Sequence, residues 1–191
     1  MSLRVQSTQF ARWIEGKGSG LRAIGKVGPF DRLDPFSLSK KMGILIFDPN
    51  DFASGMPVDL LNGVLNRHHD CWDAGTLEFP NGEKVIIYNP TRDLRRRNAT
   101  LMEELAHIFL EHEPSRLGEE NGIVRRSYKK STEKQAYAVG AAALLPSRIL
   151  KGARTRKYSI DELAEIHQVS EPLVKYRLNV TGIQLLVSAK N

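Results

Sequence analysis

Thr100-Leu101-Met102-Glu103-Glu104-Leu105-Ala106-His107-Ile108-Phe109-Leu110-Glu111-His112 has two different faces when wound as a helix. At about 100° per residue, Glu103, Glu104, His107 and Glu111 fall within one arc of roughly 100°. Leu101, Met102, Leu105, Ala106, Ile108 and Phe109 cover the opposite side. One wall of the helix is therefore core, and the other is a row of carboxylates around an imidazole. Asn98 is the expected N-cap, and the helix is expected to close before Pro114.

Upstream lies the clearest strand signal of the chain. Thr76-Leu77-Glu78-Phe79 and Lys84-Val85-Ile86-Ile87-Tyr88 flank Pro80-Asn81-Gly82-Glu83, and Asn-Gly between apolar strands marks a hairpin. Between hairpin and helix stand Arg92, Arg95, Arg96 and Arg97. Cations at a helix start oppose the helix dipole, so this cluster points to a ligand, a partner or the nearby glutamates, or else to a solvated face. Earlier still, Ile44-Leu45-Ile46-Phe47 looks like a buried strand, and Asp34-Pro35 opens a short helix through Lys41. Val58 to Asn66 suits a further helix, and His68 and His69 read as exposed loop residues. Phe10, Trp13 and Ile14 mark a short amphipathic helix over residues 6–15. The glycines that follow, from Gly16 to Gly28, are punctuation, so residues 1–30 form an extension whose order the pattern leaves open.

Downstream, Ser115 to Lys130 is polar and carries a second basic cluster, which predicts a mobile loop. A small-residue helix follows from about Thr132, with Thr132 and Gln135 spaced as a capping box, and ends before Pro146. Glu133 shares a face there with Ala136, Tyr137, Gly140 and Leu144. A carboxylate on that side needs a cation or a donor, unless it only serves its own helix N-terminus. Residues 158–179 form a helix-turn-helix pattern, with Ser159 and Ser170 as caps and Pro172 in the second helix's first turn. If this pair reads DNA, Lys175 and Arg177 lie at or near the groove, beside Glu171 and Tyr176. The same pattern also occurs as plain packing.

Composition sets the outer bounds. The 191 residues are 41% hydrophobic and 26% charged, which suits one globular core with a small appended subdomain. The only cysteine, Cys71, excludes an intramolecular disulfide and is consistent with a reducing cytosol. No apolar run reaches the roughly 20 residues of a membrane span, and the first twenty residues carry no signal-like run, so a cytoplasmic protein is expected. The net charge of +6 permits a nucleic acid or an acidic protein partner without choosing between them.

A helix with a glutamate between two ligands at i and i+4 is the design of zincin-type peptidases, whose pattern is His-Glu-x-x-His. This chain instead reads Glu103-Glu104-Leu105-Ala106-His107. With the hairpin before it, Glu133 after it and the helical pair at the end, the order of elements resembles the ImmA/IrrE-type metallopeptidases over roughly residues 34 to 182. The best-matching stretches are Val85 to Pro90, Arg97 to His107, Glu133 to Pro146 and Val169 to Leu178. The resemblance implies an α+β, zincin-like core over residues 31–150, followed by a helix-turn-helix-like subdomain over 151–191. It also implies Glu104 as general base and His107 and Glu133 as zinc ligands, with Glu103 standing where the first histidine belongs. Such bacterial and phage-associated proteins typically cut a helix-turn-helix repressor, which would lie as an added strand against the hairpin 76–88. Arg95, Arg96, Arg97, Lys175 and Arg177 are candidate contacts for a protein or DNA partner. Glutamate is a legitimate zinc ligand, and two carboxylates with one imidazole also suit iron or manganese. The alternative is a metal-free, catalytically degenerate fold kept as a protein- or DNA-binding regulatory module.

Overall fold

The computed structural model describes residues 8–52, 54, 55, 59, 62, 70–113, 116–120, 123–127 and 129–185. Helix α3 (Leu94–Phe109) lies at the centre, with Leu101, Met102, Leu105 and Ala106 all fully buried. It starts earlier than Asn98, because Asp93 is the residue whose side chain accepts from a first-turn amide, that of Arg96 at 3.0 Å. Asn98 is instead an interior, buried position, and its amide donates to the Gln168 carbonyl at 2.9 Å. Arg95, Arg96 and Arg97 therefore belong to the first turn of α3 and not to a loop ahead of it.

Helix α4 (Lys130–Leu144) packs along α3, and α1 (Thr8–Ile24) packs along α4. Small residues make both contacts possible. A Cβ on Gly140 would stand 2.8 Å from the Met102 carbonyl oxygen, and one on Gly18 would stand 2.9 Å from the Ala143 nitrogen, so both positions need glycine for backbone approach. This corrects the reading of residues 16–20 as punctuation: tertiary contact outweighs the low helix propensity of glycine. It also settles the order of the N-terminal segment from Thr8 on, where Ile14 and Leu21 are core residues. Arg22 ties α1 down by donating to the Ala143, Gly28 and Asp31 carbonyls at 2.9, 2.5 and 2.6 Å. Lys129 precedes α4 with no side-chain cap, and the Thr132 hydroxyl bonds the Lys129 carbonyl, so the predicted capping box does not form.

A three-stranded sheet covers the far side of α3 in the order β1-β3-β2, from β1 (Leu45–Phe47), β2 (Ala74–Glu78) and β3 (Lys84–Tyr88). The predicted hairpin pairs antiparallel, with Thr76 opposite Ile86, while β1 runs parallel to β3 with Ile46 beside Ile86. Strand β1 is thus an edge among the described residues, and its Leu45 is exposed rather than buried. Helix α2 (Pro35–Met42) leads into it, capped by Asp34 as its sequence predicts. The expected loop between α3 and α4 contains a second antiparallel pair, β4 (Arg116–Glu120) and β5 (Ile123–Ser127), whose register sets Gly118 against Arg125. The helix predicted over Val58 to Asn66, together with His68 and His69, lies outside the described residues except at Asp59 and Asn62.

The chain closes with α5 (Ser147–Arg156), α6 (Ile160–His167) and α7 (Glu171–Thr181). Ser159 forms a full capping box with Glu162, and Ser170 caps α7 with Pro172 in its first turn. Gln168, in left-handed conformation at φ 50°, makes the tight turn between the two helices. Among the described residues no helix is long and apolar enough to cross a membrane.

Candidate metal centre

The polar face of α3 projects Glu103 and His107 one turn apart, and the first turn of α4 brings Glu133 opposite them. The close Met102–Gly140 crossing sets that spacing, because it holds the two backbones together one residue from Glu103. One ligand atom from each of Glu103, His107 and Glu133 lies within 4.8 Å of the others. His107 Nε2 is 3.5 Å from Glu133 Oε1, and His107 and Glu133 side chains are 17% and 39% exposed, so the group sits at a surface that water and a substrate can reach.

The donor set fits a divalent cation. Two ligands bonded at 2.0–2.1 Å to one tetrahedral ion stand roughly 3.4 Å apart, close to the His107–Glu133 separation. Electrostatics agree, since two carboxylates converge here with a third, Glu104, beside them. Burial, then Glu133, then Glu104 push the Glu103 carboxyl up to about 7, against the pull of Arg96. Arg96 is itself held by Asp73, at 2.6 Å, whose carboxylate this contact keeps below its usual range.

The raised Glu103 carboxyl has a consequence for stability. In the metal-free chain the folded state holds a proton on Glu103 between its ordinary 4.5 and about 7, where the unfolded chain has lost it. Stability should therefore fall as pH rises through that window, by up to roughly 3 kcal/mol from this group. Urea unfolding at pH 5 and pH 8 with chelator present should show this loss, and Glu103→Gln should remove it. Equal pH dependence in the two proteins would contradict the assignment.

Glu104 points to the sheet side, where the Thr76 hydroxyl donates to its Oε2 at 2.6 Å. Glu111, expected on the same face, is not part of the group: α3 ends at Phe109, and Glu111 is exposed in left-handed conformation at φ 55°. The basic candidates are engaged within the molecule. Arg95 pairs with Glu165, Arg96 with Asp73, and Lys175 with Glu171 at 2.9 Å, while Arg97 lies over the Tyr88 ring at 5.9 Å. Arg177 is a correction to the groove assignment. It is 1% exposed, pairs with Glu15 and donates to the Leu145 carbonyl, because its position on α7 faces the core that α1 and α5 complete.

Three polar partners of the site escaped the sequence reading: Thr76, His112 and Gln135. His112 Nδ1 is 3.1 Å from His107 Nδ1, and His112 Nε2 is 3.2 Å from Gln135 Oε1. On a continued helix His112 would stand about 140° away from His107. A Schellman turn brings it back: Glu111 N–H bonds the Ile108 carbonyl at 3.1 Å and His112 N–H bonds the His107 carbonyl at 3.0 Å. Its only sequence signal is a histidine just past a helix end.

The chain matches the family model Peptidase_M78, the IrrE N-terminal-like domain, over residues 61–179, more than half its length. No curated protein matches it. A solved structure described as a Mycobacterium tuberculosis transcriptional regulator shares the fold with a TM-score of 0.50 at 14% identity. That match covers 90% of this chain and 47% of the regulator, so the chain spans about half of the regulator's length.

Proposed function

Because the chain belongs to the IrrE N-terminal-like peptidase family, we propose that it is a cytoplasmic metal-dependent peptidase whose ion, zinc or a similar dication, is held by Glu103, His107 and Glu133. The convergence of those three ligand atoms within 4.8 Å carries this reading. When bound, such a dication supplies Lewis acidity toward water and a substrate carbonyl. The chain's own residues do the rest. Glu104 takes the proton from water, and Thr76, by occupying Oε2, leaves Oε1 as the accepting atom. The target that the family resemblance implies is a regulatory protein of the helix-turn-helix repressor type. Its scissile segment lies along β2, an edge of the sheet among the described residues, where Leu77 and, just past the strand's end, Phe79 are exposed.

Glu103 is also the observation that favours a second reading, a metal-free fold acting by binding alone. Metal analysis of protein purified without chelator separates the two. The peptidase reading expects one dication per chain, lost in His107→Ala and in Glu133→Ala. An empty wild-type site that fills only in Glu103→His establishes the second reading.

A further inference from the structure

A line of three side chains runs outward from the ligand group: His107, His112 and Gln135. The direction of its hydrogen bonds follows from the last member. Gln135 Oε1 only accepts, so His112 Nε2, 3.2 Å away, carries the proton of that contact. A neutral His112 then has a bare Nδ1, and the proton in the 3.1 Å contact with His107 Nδ1 belongs to His107. A neutral His107 with its single proton on Nδ1 has a bare Nε2, the nitrogen that faces Glu133 Oε1 at 3.5 Å. Two lone pairs facing each other with no proton between them are matched by a cation.

We infer that His112, anchored by Gln135, is a positioning residue that keeps the His107 proton on Nδ1 and aims the bare Nε2 into the ligand group. The backbone supports this role independently. The Schellman turn places His112 directly over His107, and the rings meet edge to face with centroids 5.0 Å apart. Gln135 stands two residues after Glu133 on α4, so the helix that supplies the third ligand also supplies the far anchor. Ligand histidines ordinarily donate their second N–H to a carboxylate, a carbonyl or water; here the acceptor is a second histidine, itself oriented by an amide. What the bare nitrogen is for rests on the metallopeptidase reading above, whereas the position of the proton does not.

Nitrogen-15 spectroscopy of the metal-free wild type near pH 8 tests the proton directly. His107 should be protonated on Nδ1 and bare on Nε2, the reverse of the tautomer that dominates for free histidine side chains in water. In Gln135→Leu the His107 signal should relax toward the solution mixture. Zinc titration against a chromophoric chelator provides the second measurement, in which His112→Ala should lose on the order of 10- to 100-fold in affinity. Gln135→Glu, which keeps an acceptor, should bind within a few-fold of wild type. A wild-type His107 carrying its proton on Nε2, or a folded His112→Ala that binds zinc as wild type does, overturns the assignment. A wild type with the Nδ1 proton and no affinity for zinc sustains the positioning role and instead sinks the metal-dependent reading.

Discussion

Glu104→Gln is expected to lower peptidase turnover by roughly two to four orders of magnitude while metal content stays at the wild-type level. On the proposed mechanism the substitution removes the site's proton acceptor and nothing that holds the ion. Glutamine keeps the length and one oxygen of glutamate, so the 2.6 Å contact from the Thr76 hydroxyl survives. The lost oxygen is the one with no Thr76 proton on it, and an amide nitrogen in its place cannot take a proton from water. Cleavage of a fluorogenic peptide library, with metal quantified on the same preparation, checks both halves. Retained turnover removes Glu104 from the role of base, whereas loss of metal along with turnover shows that Glu104 is needed to build the site.

The second large effect concerns stability. Arg177→Ala should destabilise the fold by about 3 kcal/mol, the lower end of what breaking a buried ion pair costs. Arg177 is 1% exposed and joins three elements: it pairs with Glu15 of α1 and bonds the Leu145 carbonyl just before α5, from its own place on α7. Glu15 also accepts the Ser147 N–H at 3.0 Å, so truncating the arginine strands a partly buried carboxylate at the junction of N- and C-terminal segments. Its side chain keeps 27% exposure, which lets water solvate part of the charge and is the reason for the lower figure. A drop of roughly 6–12 °C in Tm is the corresponding thermal shift for a chain of this size. Glu15→Gln combined with Arg177→Met should recover part of the loss, whereas Lys175→Ala on the solvent side should stay within about 0.5 kcal/mol of wild type. Urea unfolding measures all three, and a loss below 1 kcal/mol for Arg177→Ala would show that the junction is held by apolar packing instead.

Local chemistry reports local structure, and the reading of this chain divides along that line. The two faces of α3, the Asn-Gly hairpin, the Asp34 cap and the Ser159 and Ser170 caps each depend on residues within four positions of one another, and each is found where its pattern lies. The family was legible as a resemblance, carried by the spacing of Glu103, Glu104 and His107 together with Glu133 on a later helix and the order of the flanking elements. The start of α3 was misplaced because Asp93 and Asn98 are both good caps in isolation. Only burial of Asn98 against Gln168 decides between them. Likewise the glycines of α1 look like loop until α4 approaches them, and the polar stretch after α3 carries no regular alternation to announce β4 and β5.

By itself, then, the sequence determined most of the helices and the hairpin strands, and it carried the resemblance that implies the family and the convergence of Glu103, His107 and Glu133 on an ion. The elements follow from period, caps and side-chain chemistry along a short length of chain. Tertiary structure alone decided how close α3 and α4 run, whether Arg177 faces solvent or core, and that His112 folds back onto His107. Each depends on contacts between residues brought together by backbone approach or reversal, at Gly140, at the α1–α5–α7 junction and at Glu111. The polar face of α3 is a property of its sequence. Its assembly with Glu133, Thr76 and His112 is a property of the fold.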